Sequence, residues 1–297
     1  MSKAPVARIN VSDLHLCRRC PRLLAWKRSG QKNAWTVGRK GRSFCGNAFH
    51  DHIAAPFHQD AAGQNGMKKR LAILEVFQNN PHNADAMKNA LRDCVYRNYF
   101  SPYLDANSRT LKTSQIVSLG DILVRWSDFL VNFFHANSGF QDNPEAFTEQ
   151  AFWVPERSMK ANYTAPDGTV LIVSGRFDSA LWDRSNNEVL LVEYKCLKET
   201  DPTVELAQIA LYAWLLREHT GLSPRADVLY LEEENPLASY SAVDTAAVIL
   251  QLPSLFNTTI QVIRAVKSNK ESIPKTDNPS LCQKCPYHKD CDTRFGS

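Results

Sequence analysis

Two short segments of the chain carry the residue types that metal-dependent phosphodiester hydrolysis requires. The segment Gly175–Asp178 ends in an aspartate, and fifteen residues beyond it come Glu193, Tyr194 and Lys195. Because side chains alternate along a strand, Glu193 and Lys195 project to one side and Tyr194 to the other. If the segments pair as a hairpin, Asp178 approaches them. Two carboxylates at a strand end could hold Mg²⁺ or Mn²⁺, and the ammonium could orient the attacking water.

Three further polar side chains could complete such a site. Gln208 and Tyr212 stand at i and i+4 on a predicted helix, so they share one face. There they could hold a nucleic-acid backbone, brace the catalytic side chains, or form a partly buried pair at the edge of the core. His50 follows Gly46 on another predicted helix and could supply a nitrogen to the same metal, which would favour Mn²⁺ somewhat. A lone histidine is otherwise more often structural.

The cysteines give a second, independent signal. Three of them fall in the last sixteen residues, namely Cys282, Cys285 and Cys291. A fourth ligand could come from Cys20 or Cys17 near the start of the chain, or locally from His288. Four thiolates would suit a [4Fe-4S] cluster or zinc, and a histidine would favour zinc. With Cys20 as the partner, the site would close a loop of more than about 250 residues. The remaining thiols are predicted to be ordinary buried or half-buried groups: Cys45, Cys94 and Cys196.

Positive charge is concentrated near the start of the chain. The net charge is only +4, yet Leu14 to His50 contains no acidic residue and nine basic ones: Arg18, Arg19, Arg22, Lys27, Arg28, Lys32, Arg39, Lys40 and Arg42. This block predicts a surface that faces phosphates, or else an ordinary solvated face.

Composition places the chain among ordinary globular proteins. It has 297 residues, of which 43% are hydrophobic and 22% charged, which excludes collagen-like and wholly disordered classes. There is no uninterrupted apolar run of about 18 residues, the length that a membrane span needs, and no signal-peptide pattern at the N-terminus. We therefore expect a cytoplasmic protein without a membrane partner, in which clustered cysteines bind metal rather than form disulfides.

The elements that must position these residues are helices followed by a sheet. Apolar residues at helical spacing predict a core helix at Asp121–His135. Strand patterns follow at Ala151–Val154, Val170–Trp182 and Glu188–Lys195, then a helix at Thr203–Glu218, a strand at Ala226–Leu231 and further helices. The prediction is a mixed α/β fold. We divide it into an N-terminal helical part (1–60), a helical insertion (61–145), a catalytic core (146–235) and a C-terminal tail of helices and cysteines (236–297).

Taken together, these features resemble a known family. Six elements occur in the family's order: Cys20-Pro21, Gly46-x-x-x-His50, Gly175-Arg176-Phe177-Asp178, Glu193-Tyr194-Lys195, Gln208-x-x-x-Tyr212 and Cys282-x-x-Cys285-x5-Cys291. The chain resembles the RecB-like branch of the PD-(D/E)XK nucleases that carries an iron-sulfur cluster. That branch includes the AddB nuclease domain and CRISPR-associated RecB-like exonucleases.

The resemblance implies a fold, an activity and a set of roles. The fold would be a restriction-endonuclease-like core, in which a mixed central sheet is flanked by helices. His50, Asp178 and Glu193 would coordinate Mg²⁺ or Mn²⁺, and Lys195 would serve the water. Gln208 and Tyr212 would support the site and contact DNA, together with a basic patch formed by Arg39, Lys40 and Arg42. A structural [4Fe-4S] cluster would be held by Cys20, Cys282, Cys285 and Cys291.

The implied substrate is DNA with single-stranded ends or flaps, cut by exonuclease action with some endonuclease activity. A helicase, an integrase or a defence complex could be the partner. Residues 61–145 would be a subfamily insertion that binds DNA or protein. Two other functions stay open at this point. One is a catalytically silent DNA-binding or scaffolding subunit, although the four metal-site residues are all present. The other is a zinc-ribbon-like DNA-binding protein, which would be colourless.

Overall fold

The structure is a computed structural model. It describes residues 6–31, 43–50, 72–73, 75–77, 79, 83–137, 159–195, 202–231, 237–268 and 272–295. Several predictions lie outside these residues: the strand at Ala151–Val154, the thiol Cys196, and the basic side chains of Lys32, Arg39, Lys40 and Arg42.

The described strands form two mixed sheets. The strands are β1 (Val6–Asn10), β2 (Met159–Thr164), β3 (Val170–Gly175), β4 (Ser179–Asp183), β5 (Glu188–Lys195), β6 (Arg225–Tyr230) and β7 (Leu237–Tyr240). The first sheet has the order β1-β3-β2 and the second the order β4-β5-β6-β7. In the first, β1 runs parallel and β2 antiparallel to β3. In the second, β6 runs parallel to β5, and the two outer pairs are antiparallel.

Helices make up most of the remaining described chain. They are α1 (Val11–Arg19), α2 (Pro21–Arg28), α3 (Ser43–Phe49), α4 (Ala84–Val95), α5 (Ser101–Asn107), α6 (Thr113–Ala136), α7 (Pro202–Thr220), α8 (Ala242–Ile249), α9 (Leu252–Ser268), α10 (Pro279–Gln283) and α11 (His288–Phe295). A π-helical turn, Tyr96–Phe100, joins α4 to α5. No single described helix is both long and apolar enough to cross a bilayer; α8 and α9, bent by 41° at their junction, reach that length and apolarity only as a pair.

The mixed α/β class is confirmed, and the described strands form two mixed sheets where the prediction had one central sheet. The predicted strand Val170–Trp182 is interrupted at residues 176–178, so β3 belongs to one sheet and β4 to the other. The hairpin itself is confirmed, since β4 pairs antiparallel to β5 with Ser179 opposite Val192. The turn of this hairpin is held by Asn137, at the end of α6. Its Oδ1 accepts hydrogen bonds from the backbone N–H groups of residues 184 and 185, at 3.0 and 3.3 Å.

The second sheet is covered on both faces, as the continuous apolar run of β5 predicts. On one face Leu190, Val192 and Tyr194 join a core with the helices α3, α4 and α6. On the other face Val189 and Leu191 join a core with α7, α9 and the first sheet. Alternate residues of β5 therefore face different surroundings, and residues 193 and 195 lie on the α7 side.

The corner between α1 and α2 follows local sequence rules. The Asn10 side chain accepts a hydrogen bond from the Asp13 N–H at 2.8 Å, and the Asp13 carboxylate accepts one from the Asn10 N–H at 3.3 Å, which makes a capping box. Cys20 has an extended backbone and ends α1, and Pro21 opens α2 at the position where a missing N–H costs nothing. The corner thus sets Cys20 between two helices.

Part of the predicted basic surface is internally neutralised. The Asp13 carboxylate pairs with Lys27 and, at 2.8 Å, with Arg28. Arg22 is only 2% exposed and pairs with Asp292 at 2.5 Å. These three cations were predicted to face phosphates. They hold the N-terminal helices to each other and to the C-terminal segment instead, while Arg18 and Arg19 stay half-exposed.

Candidate active site

Asp178 lies in the break between β3 and β4, beside the end of β5. Its Oδ2 accepts a hydrogen bond from the backbone N–H of Tyr194 at 2.8 Å. Its Oδ1 lies 3.2 Å from Nδ1 of His50, the residue that follows α3. The structure therefore brings together two residues that are 128 positions apart in the sequence.

The break that places Asp178 depends on a close approach at Gly175. A Cβ at this position would lie 2.6 Å from Cδ1 of Leu215 and 2.7 Å from Cγ2 of Val11. Only glycine lets β3 run so close to α7 and α1. Phe177 is then buried, which anchors the segment and leaves the next side chain at the sheet end.

A single amide connects the acid and the base of β5. Gln208 on α7 donates from Nε2 to Oε1 of Glu193 at 2.7 Å and accepts at Oε1 from Nζ of Lys195 at 3.1 Å. The same Nε2 lies 3.4 Å from the hydroxyl of Tyr212. Because both ends of the amide are bonded, its orientation is fixed, and it holds Glu193 and Lys195 at a set separation. Of the roles open to Gln208 from sequence, this contact favours bracing.

Glu193 is held in an unfavourable environment for a charge. It is 7% exposed, and its Oε2 has no hydrogen-bond partner among the described residues. Burial raises the pKa of this carboxyl well above its ordinary value of 4.5, and the negative charge of Asp178 raises it further, against the attraction of Lys195. Burial also raises the pKa of the Tyr212 phenol. Strongly perturbed acids next to each other are typical of functional sites.

Glu205 is a buried acid that the sequence analysis missed. It lies one helical turn before Gln208, is 1% exposed, and has Oε1 3.4 Å from Nζ of Lys195. Its other oxygen accepts from the Tyr230 hydroxyl. A signal was available: Glu205, Gln208 and Tyr212 stand at i, i+3 and i+7 within an apolar stretch of the helix, residues 204–216, so they form one polar stripe.

The donor set at this position fits a divalent cation. An imidazole and two carboxylates, from His50, Asp178 and Glu193, are ligands that Mn²⁺ and Mg²⁺ accept, and the buried Oε2 of Glu193 lacks a partner within the described residues. As these side chains stand, no three His, Cys, Asp or Glu residues in the described part of the chain are grouped to hold a metal. His50 and Asp178 contact one another instead.

The sequence matches the model of the PD-(D/E)XK nuclease superfamily over residues 8–292. The chain belongs to this superfamily. No curated protein matches it. Among solved structures, the one described as "Crystal structure of SSO0001" aligns with a TM-score of 0.40 and 12% identity, over 97% of this chain and 86% of that chain. The family match therefore carries the assignment, and it indicates a metal-dependent nuclease.

A second cluster of this PD-(D/E)XK nuclease lies at the junction of α2 with the C-terminal helices. A cavity of about 350 Å³ is lined by all four predicted cluster ligands and by His288: Cys20, Cys282, Cys285, Cys291 and His288. Burial raises the pKa of the Cys20 and Cys285 thiols. Thiols from both ends of the sequence therefore face one space, which fits a thiolate-bound metal by donor type.

The residues around this cavity distinguish between Cys17 and Cys20, the two candidates for the N-terminal ligand. Cys17 is not among the cavity-lining residues; its thiol contacts the Thr259 side chain, and burial raises its pKa to about 11. The Arg22 guanidinium, in contrast, lies in the cavity wall, with Nη1 3.6 Å from Sγ of Cys291. Cys45 and Cys94 pack half-buried against the helical core, as predicted.

Proposed function

We propose that this PD-(D/E)XK protein is a Mg²⁺- or Mn²⁺-dependent deoxyribonuclease. It would hydrolyse phosphodiester bonds of single-stranded DNA ends or flaps, as an exonuclease with some endonuclease activity. The observation that carries the proposal is a polar cluster at the end of β5: Asp178 touches His50, Gln208 joins Glu193 to Lys195, and the negative charge of Asp178 raises the pKa of Glu193. These residue types, in a chain of this superfamily, are the parts that hydrolysis requires.

Each side chain of the cluster has a distinct task in this proposal. His50, Asp178 and Glu193 would hold the divalent cation, which when bound polarises the phosphate and lowers the pKa of water. The backbone N–H of Tyr194 holds Asp178 in place. Lys195, kept close by Gln208, presents a positive charge that offsets charge developing on the phosphate in the transition state.

The substrate contacts and partners are further parts of the proposal. Tyr212, together with the basic residues Arg39, Lys40 and Arg42, would contact the DNA backbone. Gln208 would support these contacts by holding Glu193 and Lys195 in place. A helicase, integrase or defence complex would deliver the DNA end.

The cysteine cavity would hold a structural [4Fe-4S] cluster through Cys20, Cys282, Cys285 and Cys291. Four thiols around one cavity support a thiolate-bound metal, and zinc is the competing occupant. Anaerobically purified protein should be brown and contain iron and sulfide. Colourless protein with stoichiometric zinc would replace the cluster by a zinc site and leave the nuclease proposal standing.

The nuclease proposal is tested with Asp178→Ala and Lys195→Ala on a labelled single strand in Mn²⁺. Each change should reduce cleavage about 100-fold or more while the protein stays folded. Lys160→Ala is a matched control, because this lysine is exposed on β2, and it should leave the rate unchanged. Wild-type protein that binds the strand without cutting it would instead support the silent DNA-binding subunit.

A further inference from the structure

A buried acid on α7 lies next to the active-site lysine without belonging to the predicted metal ligands. Glu205 has Oε1 3.4 Å from Nζ of Lys195, and its Oε2 accepts from the hydroxyl of Tyr230. Both oxygens of this carboxylate are therefore directed at protein groups. The contact of Oε1 with Lys195 is an ion pair without a hydrogen bond, since Oε1 of Glu205, like Oε2 of Glu193, has no hydrogen-bond partner among the described residues.

Burying the carboxylate of Glu205 costs free energy, which its two contacts must offset. A carboxylate that is 1% exposed is costly unless a positive group and hydrogen bonds compensate it. The Tyr230 hydroxyl supplies a hydrogen bond, and the ammonium of Lys195, whose side chain is 13% exposed, supplies the charge. Removing the ammonium would therefore leave the buried Glu205 carboxylate with the Tyr230 hydrogen bond and no positive partner among the described residues.

The same helix face holds Lys195 at two points. Glu205 and Gln208 are three residues apart on α7, so their side chains lie one turn apart on one side. Gln208 Oε1 lies 3.1 Å and Glu205 Oε1 3.4 Å from Nζ of Lys195. A lysine ammonium on a flexible four-carbon stem has many rotamers. One hydrogen bond and one ion pair from the same rigid helix reduce that freedom at the point where the charge is needed.

We propose that Glu205 is a positioning residue for the nuclease reaction: it fixes the ammonium of Lys195, and Tyr230 in turn fixes Glu205. The inference rests on the proposed nuclease function and adds to it a three-residue relay from β6 through α7 to the catalytic strand. Glu205 acts on the rate through Lys195, and it neither holds the cation nor contacts DNA.

The test is Glu205→Gln, which keeps the shape of the side chain and its bond with Tyr230 but removes the negative charge. Steady-state cleavage of a single-stranded oligonucleotide in Mn²⁺ should show kcat reduced about 10-fold to 100-fold, with KM changed by less than about 2-fold. The Kd for Mn²⁺, measured by calorimetry on the same protein, should stay within about 2-fold of wild type. Glu218→Gln, the same change at an exposed position on α7, should leave all three quantities unchanged.

Two results would overturn the assignment. If the folded Glu205→Gln variant keeps the wild-type kcat, the carboxylate does not position Lys195. If Mn²⁺ binding falls together with the rate, Glu205 is a metal ligand.

If the Glu205→Gln variant does not fold, Tyr230→Phe provides the test. It removes the hydrogen bond to Glu205 and keeps the charge of the carboxylate. A kcat reduced several-fold at constant KM supports the relay, and an unchanged kcat refutes it. Wild-type protein that cleaves no DNA would remove the proposed function and the inference together, whereas an active wild type with an unaffected variant removes the inference alone.

Discussion

Replacing the buried acid of β5 by its amide should stabilise the protein while it abolishes cleavage. In Glu193→Gln, the amide oxygen can still accept from Nε2 of Gln208, which bonds to Oε1 in the wild type at 2.7 Å. The new amide nitrogen can donate to Asp178, whose negative charge raises the pKa of Glu193 in the wild type. The substitution therefore replaces a repulsion by a hydrogen bond.

The size of the effect follows from the environment of the carboxylate. Its Oε2 is buried without a partner among the described residues, and leaving such an acceptor unsatisfied costs about 1–3 kcal/mol. For a chain of this size, each kcal/mol shifts Tm by about 2–4 °C. In the presence of a chelator, we therefore expect the Tm of the variant to exceed that of the wild type by roughly 2–12 °C.

The difference should depend on pH with a defined sign. Because the folded-state pKa of Glu193 is raised above 4.5, its contribution to the free energy of unfolding is fully present below pH 4.5. It is lost as the pH rises through the raised pKa. Wild type and variant should therefore have similar stability at low pH and diverge at neutral pH, with the variant the more stable. Added Mn²⁺ should stabilise the wild type and not the variant.

Thermal unfolding by circular dichroism, in chelator and in Mn²⁺ across this pH range, measures both effects. Glu188→Gln is the control on the same strand: its carboxylate is half-exposed and pairs with Arg225 at 3.0 Å, so the change should cost at most about 1 kcal/mol. A chelator-treated Glu193→Gln variant that melts below the wild type at neutral pH would refute the claim that the buried charge of Glu193 is only partly compensated.

Three other changes give further expectations. Gly175→Val should lower the free energy of unfolding by about 1–3 kcal/mol or prevent folding, since even a Cβ would lie 2.6 Å from Leu215 Cδ1. Denaturant titration measures this effect. An unchanged midpoint would show that β3 packs less closely against α7. Cys17, whose pKa is raised to about 11, should resist alkylation at pH 8. The Cys17→Ala variant should keep the metal content that Cys20→Ala loses. If metal analysis gives the reverse, Cys17 and not Cys20 is the metal ligand. Asn137→Ala should lower the free energy of unfolding by about 1–3 kcal/mol, because it removes the acceptor of two backbone N–H groups of the β4–β5 turn. An unchanged Tm would contradict this.

The hairpin and its polar residues could be predicted because strand alternation is a local property. The bounds of β5 agree with the predicted Glu188–Lys195, and residues 193 and 195 share the α7 side as the period of two requires. The helix after it was predicted within two residues at each end. The superfamily, too, followed from motif order and is confirmed by the match over residues 8–292.

The split of the sheet could not be predicted from the same pattern. A continuous β-rich run indicates one strand, whereas the backbone leaves the strand at residues 176–178, directly after Gly175 packs closely against Leu215 and Val11. Those partners are distant in the sequence, and periodicity carries no information about them. The strands β1 and β2 were missed for a related reason, since their pairing with β3 is set by tertiary contacts.

Charge was the weakest guide to function. Nine cations without an acid between them suggested one exposed surface, but the neutralising carboxylates lie elsewhere in the sequence. Asp13 precedes the block and pairs with Lys27 and Arg28, and Asp292 reaches Arg22 from near the C-terminus. The buried acid Glu205 was missed in the same way, because its pairing with Lys195 depends on how α7 lies against β5.

The two-sided burial of β5 limits how the sequence can vary in length. A one-residue deletion or insertion within Glu188–Lys195 would move every later side chain to the opposite face. Tyr194 would then point toward α7, and the acid and the lysine would enter the apolar helical core. A length change in the four-residue turn before the strand, residues 184–187, would leave the pleat of β5 unaltered and would affect the hydrogen bonds of the turn with Asn137 instead. Homologous nucleases should therefore differ in length at this turn and share an ungapped catalytic strand.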